Sequence, residues 1–260
     1  QTLRRMTLEE RVAQLVFPWS RSYYMARGSE DWQELERLVR QRKVGGFVVS
    51  LGDVYEYAVQ INRLQKLSDV PLLIAADFEY GAGMRIDAST TFPRAMAVGA
   101  TRNAAYAYEM GKATAREARA VGVHQNYAPV ADVNNNPKNP VINTRAFGDD
   151  PTLVAEMANA FIRGTQDGGV IATVKHFPGH GDTDVDTHVG LSVLSLPAER
   201  LKSFELSPFR QVFSAGVLSV MVGHLAAPAL DTARDMPATV SPMLTTRLLQ
   251  EEMGYGGLIV

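Results

Sequence analysis

Short apolar runs alternate along the chain with amphipathic helical patterns, and this alternation constrains the fold more than any other feature. The predicted strands are residues 15–17, 46–49, 72–76, 121–125, 171–174, 218–222 and 258–260. Runs that are apolar throughout are typical of parallel strands covered on both faces, whereas antiparallel strands more often alternate apolar and polar residues. The sequence therefore predicts an α/β fold with a parallel sheet.

Helix signals lie between the predicted strands. Asp150 and Pro151 are typical of a helix start, as are Ser241 and Pro242, and Gly254 is typical of a helix end. Repeated βα units build either an open doubly wound sheet or a closed (β/α)8 barrel.

The residues at the strand ends separate these two folds. A dinucleotide-binding open sheet requires a glycine fingerprint after its first strand, and residues 17–20, Phe-Pro-Trp-Ser, supply none. In a barrel, functional groups gather at the C-terminal ends of several strands. Three predicted strands end at Asp77, at Lys175 and His176, and just before His224. We therefore predict a (β/α)8 TIM-type barrel.

Composition limits the partners of the chain. Its 260 residues include no linker of low complexity, so we expect one domain over residues 1–260. A net charge of -2 argues against a nucleic acid partner, and no apolar run approaches the length of a membrane span. The lack of cysteine excludes disulfides and thiolate metal sites.

Residues 175–188 carry an unusual density of polar chemistry. Directly after an apolar run they contain three histidines, three aspartates, a lysine and two glycines. A packed core has no use for so many polar groups, because burying them is costly unless they are paired. The segment is predicted to be a catalytic or ligand-binding loop.

Metal binding is one alternative for this loop. Asp182, Asp184 and Asp186 have the alternating spacing of a calcium loop, but glycine and glutamate are missing from the sixth and twelfth positions. Zinc ligands could come from His176, His180 and His188, although Phe-Pro-Gly between the first two excludes a helical His-x-x-x-His pair. We predict no metal and no cofactor.

Acid–base chemistry is the other alternative. In an extended loop residues i and i+2 point the same way, so the carboxylate of Asp186 can hold one ring nitrogen of His188 and leave the other to exchange a proton. No Gly-x-Ser-x-Gly element and no cysteine completes a serine or thiol hydrolase. A carboxylate is the expected nucleophile.

Other candidate residues have simpler alternatives. Asp77 could merely cap a loop, but Glu79, Arg85 and the glycines between them favour a ligand site. The segment 143–145, which ends at Arg145, follows an asparagine-rich stretch and could be an ordinary turn. His224 is predicted in the substrate site, with a core histidine as an equal alternative.

These residues resemble a known family. Lys-His-Phe-Pro-Gly-His-Gly-Asp-Thr followed by Asp-x-His is similar to the signature of family 3 glycoside hydrolases, in the β-N-acetylhexosaminidase branch that acts on peptidoglycan fragments. The resemblance extends through Asp77-x-Glu79, Pro129-Val130-x-Asp132-Val133, Asn143-Thr144-Arg145-x-Phe147 and Met221-x-x-His224. It departs at residues 80–83, Tyr-Gly-Ala-Gly, where many members have a double glycine.

The resemblance implies a role for each matched residue. His188 would be the general acid/base, and Asp186 would orient it. The terminal sugar would be bound by Asp77, Arg85, Arg145, Lys175 and His176.

The nucleophile of the family is an aspartate at the end of the strand that follows Gly-[Tyr/Phe]-x-Gly. Here Gly254-Tyr255-Gly256-Gly257 runs into the last residue, Val260. We expect a longer polypeptide with an aspartate just beyond Val260, and a barrel that lacks its last strand. The chain begins at Gln1 rather than at methionine, so the cellular compartment is left open.

The expected function is therefore that of an exo-acting, retaining β-N-acetylglucosaminidase with a small carbohydrate substrate. A β-glucosidase or a glycoside phosphorylase of the same family is the enzymatic alternative. A sugar-binding relative without catalysis is the other, although binding alone needs no aligned proton donor. The oligomeric state is not predicted.

Overall fold

A computed structural model of the chain describes residues 2–184, 190–231, 233 and 235–260. Its strands are β1 (Trp19–Ser22), β2 (Gly46–Asp53), β3 (Leu73–Ala76), β4 (Ile86–Asp87), β5 (Gln125–Asn126), β6 (Ile171–Phe177), β7 (Ser192–Val193), β8 (Ser219–Val222), β9 (Leu225–Ala226) and β10 (Leu258–Ile259). Seven of them form a parallel sheet in the order β1-β2-β3-β5-β6-β8-β10. β4 pairs with β2, and β7 pairs with β9.

Helices lie between these strands. The α-helices are α1 (Thr2–Arg5), α2 (Leu8–Ala13), α3 (Glu30–Arg40), α4 (Val54–Leu67), α5 (Ala95–Ala100), α6 (Ala104–Ala120), α7 (Pro151–Asp167), α8 (Ala198–Arg200) and α9 (Ser207–Ser214). Two further helices, Leu201–Glu205 and Met243–Glu252, are of the π type, and short 3-10 turns span Ala82–Met84, Asn143–Arg145 and Ala238–Val240. No helix in the described ranges is long and apolar enough to cross a membrane.

The architecture is the predicted barrel-like (β/α) fold. Seven parallel strands follow one another in chain order around the sheet, and the described residues contain no pairing between its end strands, β1 and β10. The inner surface is filled by side chains, among them Gln125, whose amide donates to the hydroxyls of Thr173 and Ser219 at 3.0 Å each.

Two of the predicted strands lie a few residues further along the chain than the sequence indicated. The first strand is β1 rather than residues 15–17, because the amides of Leu15 and Val16 bond to carbonyls of α2 and extend that helix. The fourth is β5 rather than residues 121–125, because the amides of Val121 and Val123 bond to carbonyls of α6 and close its C-terminus, with Gly122 at φ +90°.

Helix starts follow the sequence signals. The side chain of Asp150 accepts from the amide of Thr152 at 2.7 Å and caps α7, whose first residue is Pro151. Apolar residues of α7 pack beneath β6 and β8 in the larger of the two main core clusters. The smaller of the two lies between β2, β3, α3 and α4.

Candidate active site

Polar side chains converge at the C-terminal edge of the parallel sheet. Asp77 directly follows β3, Asp132 lies beyond β5, and Lys175 and His176 belong to the end of β6. The segment after β5 runs beside β6, because the amide of Ala131 bonds to the carbonyl of Lys175 at 2.8 Å. Three strands thus deliver charged groups to one place.

Lys175 is the centre of an ion cluster. Its Nζ lies 2.8 Å from Asp77 Oδ1 and 2.8 Å from Glu79 Oε1. The side chains of Lys175 and Glu79 are only 3 % and 6 % exposed, whereas that of Asp77 is 26 % exposed. The cluster therefore presents Asp77 to solvent and keeps the other two groups beneath it.

Arg145 and Arg85 complete the cluster. Arg145 forms a two-pronged contact with Glu79, with Nη2 at 2.7 Å from Oε1 and Nε at 3.0 Å from Oε2. Arg85 Nη2 lies 3.6 Å from Asp77 Oδ2. Three cations and two carboxylates meet here, so the described cluster carries a net positive charge.

Pairing sets the charge state of these carboxyls. Burial alone would raise the pKa of Asp77 and of Glu79, but Lys175 together with Arg85 at Asp77 and with Arg145 at Glu79 outweighs burial and holds both pKa values below their usual range. Burial lowers the pKa of Lys175, and the two carboxylates more than offset this and raise it. All three groups are therefore charged at neutral pH.

His176 is held by a carboxylate on its inner side. Its Nδ1 lies 2.7 Å from Asp132 Oδ2, and Asp132 also accepts from the backbone amides of His176 and His180. Burial lowers the pKa of His176 and, with smaller contributions from Lys175 and Arg145, outweighs the Asp132 carboxylate, which raises it, so we assign a neutral ring that donates from Nδ1. Its Nε2 is then an acceptor, 3.5 Å from Arg145 Nη2.

The family model of the glycosyl hydrolase family 3 N-terminal domain matches residues 7–260. The chain belongs to glycosyl hydrolase family 3.

Similar proteins from three bacteria carry the name β-hexosaminidase or β-N-acetylglucosaminidase. The chain is 35 % identical over 250 residues to β-hexosaminidase A of Pseudoalteromonas piscicida, covering 87 % of this chain and 42 % of the relative. It is 33 % identical to a β-N-acetylglucosaminidase/β-glucosidase of Cellulomonas fimi, covering 100 % and 46 %. A family 3 β-N-acetylglucosaminidase structure from Paenibacillus is 37 % identical with a TM-score of 0.88, covering 98 % and 48 %.

A β-glucoside phosphorylase structure also matches, with 29 % identity and a TM-score of 0.91, over 100 % of this chain and 47 % of that one. The chain spans about half the length of these relatives.

The structure of this family 3 chain brings five predicted sugar-binding residues into one cluster. The five are Asp77, Arg85, Arg145, Lys175 and His176. Their contact with a sugar remains a prediction.

Other predicted residues lie apart from the cluster. His224 follows β8 and is exposed, so its alternative as a core histidine is wrong, while its role in sugar binding is still a prediction. Asp186 and His188 lie outside the described residues. Within the described ranges, no three histidines or carboxylates are grouped so as to hold a metal ion. His188 lies outside these ranges, so this finding does not cover it.

The sequence placed Glu79 in a predicted ligand-site motif without a specific role, and it assigned no role to Asp132. Glu79 is the partner of both Lys175 and Arg145, and Asp132 holds His176 and the amide of His180. Both residues lie in motifs that carry the family 3 resemblance, and that position was the signal available. Their partners are distant in sequence, so only the packed barrel identifies them.

Glu205 is a buried carboxyl beneath the loop that follows β6. It is 1 % exposed, and neither of its oxygens has a hydrogen-bond partner among the residues that the structure describes. Arg200 Nη2 lies 3.6 Å from Oε1. Burial raises the pKa of Glu205 to about 7; Arg200 opposes this rise, and Asp182 and Asp132 add to it.

We expect Glu205→Gln to stabilise the fold above pH 7 and to change little near pH 5. The unfolded carboxyl ionises near 4.5, so between 4.5 and about 7 the folded state holds an extra proton and loses stability as pH rises. The difference should approach the order of 3 kcal/mol above pH 7. Denaturant unfolding at about pH 5 and pH 8 measures it.

The exposed Glu34 provides the control, because Glu34→Gln should change stability little at either pH. A Glu205→Gln variant whose stability relative to the parent is the same at both pH values would contradict the raised pKa.

Proposed function

We propose that this chain carries the sugar-binding site and the acid/base of an exo-acting, retaining β-N-acetylglucosaminidase. The observation that carries the proposal is the cluster of Asp77, Lys175, Arg145 and His176 at the C-terminal edge of the barrel. Active sites of such barrels are built at this edge.

The cluster is suited to recognising hydroxyl groups. Lys175 has three N–H donors and uses two on Asp77 and Glu79, which leaves one for a sugar oxygen. Asp77 is ionised and partly exposed, and accepts hydrogen bonds from hydroxyls. Because these are charge-assisted bonds, a sugar that lacks a matching hydroxyl would leave a charged group unsatisfied.

In the proposed reaction a carboxylate attacks the anomeric carbon while the bond to the leaving oxygen breaks. His188, oriented by Asp186, donates its proton to that oxygen and later removes a proton from the water that releases the sugar. The family resemblance implies that this nucleophile is an aspartate just beyond Val260. β10 runs parallel to β8, with the carbonyl of Val260 accepting from the amide of Val222 at 2.8 Å, so the strand points toward the edge where Lys175 lies.

N-acetylglucosamine as the sugar is supported by the names of the relatives from Pseudoalteromonas piscicida, Cellulomonas fimi and Paenibacillus. Turnover of peptidoglycan fragments is the setting that the resemblance implies. The second candidate is a β-glucosidase or a phosphorylase, favoured by the dual name of the Cellulomonas fimi relative and by the β-glucoside phosphorylase structure.

A panel of nitrophenyl glycosides tests the sugar. We expect kcat/KM of the full-length polypeptide to be on the order of 10⁴-fold higher for the β-N-acetylglucosaminide than for the β-glucoside, because a site built around polar contacts rejects a substrate that lacks one. The same assays with added phosphate show whether the sugar is transferred to water or to phosphate.

Comparable values for the two sugars would favour the glucosidase. Release of a sugar phosphate in place of the free sugar would favour the phosphorylase. The absence of turnover for every sugar in the panel would favour a binding relative.

A further inference from the structure

The loop that follows β6 is held against an asparagine-rich segment that the proposed mechanism does not use. Asn135 Nδ2 donates to Asp182 Oδ1 at 3.0 Å, and Asn136 Nδ2 donates to the carbonyls of Asp182 and Thr183 at 3.4 and 3.3 Å. We call Asn135, Asn136 and Asn139 the asparagine clamp. Its members belong to the segment that sequence analysis treated as the approach to an ordinary turn.

Asn139 is the most deeply buried contact of the clamp, with 1 % exposure. Its Nδ2 donates to the carbonyls of His180 and Gly181 at 2.8 and 3.0 Å, and lies 3.3 Å from Thr183 Oγ1. A single side-chain amide therefore contacts three residues of the loop, His180, Gly181 and Thr183.

The other end of the same side chain holds the turn that carries Arg145. Asn139 Oδ1 accepts from the amides of Val141 and Ile142 at 2.9 and 2.8 Å. The amide of Arg145 bonds to the carbonyl of Ile142 at 2.8 Å, and Arg145 Nη1 bonds to that of Val141 at 3.2 Å. Asn139 thus connects the loop after β6 to the turn of Arg145, the arginine that forms a salt bridge with Glu79.

Close backbone packing fixes the loop on both sides. A Cβ at Gly181 would lie 1.8 Å from the carbonyl oxygen of Val133, so the loop backbone packs directly against the chain just before the asparagine clamp. Gly179 has φ +125°, and a Cβ there would lie 2.9 Å from the Cβ of Glu205. The loop lies between these two surfaces, and both glycines of Pro-Gly-His-Gly are required for that.

Thr183 closes the network inside the loop. Its hydroxyl donates to the carbonyl of His180 at 2.9 Å and so accepts from His180 Nδ1 at 2.5 Å and from Asn139. Thr183 and His180 are buried. Three residues beyond Thr183 the chain reaches Asp186, so the clamp sets where the chain enters the predicted acid/base segment.

We propose that Asn139 is a positioning residue that holds the loop leading to the predicted acid/base residues against the turn that carries Arg145. The proposal rests on the proposed function for its kinetic consequence, while the clamp itself has a readout without substrate. An amide is required, because only an amide donates at one end and accepts at the other. Aspartate would place an oxygen against the two carbonyls and the hydroxyl that Nδ2 now contacts.

Two variants of the full-length polypeptide test the proposal. Asn139→Ala removes the hydrogen bonds to the loop and those to the turn. Asn139→Asp keeps the acceptor for the amides of Val141 and Ile142 and removes only the donor to the loop. For each, kcat is measured on a β-N-acetylglucosaminide with an activated dinitrophenyl leaving group and on one with an alkyl leaving group. Hydrogen exchange of the peptide that covers residues 177–183 is measured in parallel.

Gln65→Ala is the matched control. Gln65 is also an amide that donates to and accepts from backbone, at 2.8 and 2.9 Å, but its partner is Leu72 at the opposite end of β3. The Gln65→Ala variant loses these two hydrogen bonds to backbone without touching the loop after β6.

We expect both Asn139 variants to lose about 10²-fold in kcat on the alkyl glycoside, because small displacements of a catalytic group cost that much, with a smaller loss on the dinitrophenyl glycoside. Exchange in residues 177–183 should rise roughly tenfold. The Gln65→Ala control should change neither the leaving-group ratio nor this exchange. If Asn139→Ala fails to fold, Asn139→Asp carries the test alone.

Equal losses on the two glycosides, or unchanged exchange in residues 177–183, would overturn the positioning role. A parent polypeptide without glycosidase activity would instead overturn the proposed function, and the exchange measurement would still decide whether Asn139 holds the loop.

Discussion

Replacing His188 with alanine in the full-length polypeptide is expected to slow hydrolysis of a glycoside with a poor leaving group by about 10²- to 10⁴-fold. An activated aryl glycoside should lose much less, because its leaving group departs without a proton. This prediction rests on the spacing of Asp186 and His188 in the sequence. The ratio of kcat/KM values for the two substrates is the measurement.

His124→Ala is the matched control for a lost imidazole. His124 Nδ1 accepts from the amide of Ile74 at 3.1 Å, beside the start of β5 and away from the ion cluster. The control should affect both substrates equally. Asp186→Asn should retain the fold and disturb the tautomer of His188, so an unchanged rate and pH profile in that variant would argue against the dyad. Equal losses for both glycosides in His188→Ala would indicate a binding or structural role.

Lys175→Met is expected both to weaken sugar binding and to destabilise the barrel. Removing the ammonium leaves the carboxylates of Asp77 and Glu79 beside each other with only the arginines as counter-charges. Breaking a buried ion pair in this way costs about 3 kcal/mol, and losing a charge-assisted contact to the sugar should lower kcat/KM by about 10³-fold or more. Denaturant unfolding and steady-state kinetics measure the two effects.

Lys43→Met is the control for this change. Lys43 pairs with Glu10 at 2.6 Å, but the pair lies at the surface and is partly exposed to solvent, so its loss should alter stability and kinetics little. If Lys175→Met were as stable and as active as this control, the ion cluster would not be part of a sugar site.

The apolar pattern of the sequence located β6 but not β1, because the two strands bury different kinds of side chain. β6 carries apolar residues up to Lys175, and its apolar run ends where its charged groups begin. β1 buries Ser20 and Ser22 and exposes Trp19 and Arg21, and Ser20 accepts a hydrogen bond from Gln60. A strand whose buried side chains are serines has no apolar signal in its own sequence.

The residues 121–125 failed as a strand for a different reason. Val121 and Val123 are apolar and β-branched, but their amides complete the last turn of α6, and Gly122 supplies the positive φ of that helix end. Local hydrogen bonds to the helix therefore outweighed strand propensity, and pairing begins only at Gln125.

The amino-acid sequence by itself determined the alternation of strands and helices and the edge of the sheet where polar groups gather, and through the family resemblance it singled out Asp77, Arg85, Arg145, Lys175 and His176, which the structure brings into one cluster. These are local properties, set by apolar runs, helix caps and motifs within a few residues of one another. Only the tertiary structure decided which charges pair. Asp77 meets Lys175 across 98 residues, and Asn139 meets His180 across 41. β3 and β6 do not even pair in the sheet, so no local pattern records these distances, and packing of the barrel alone brings the partners within hydrogen-bond reach.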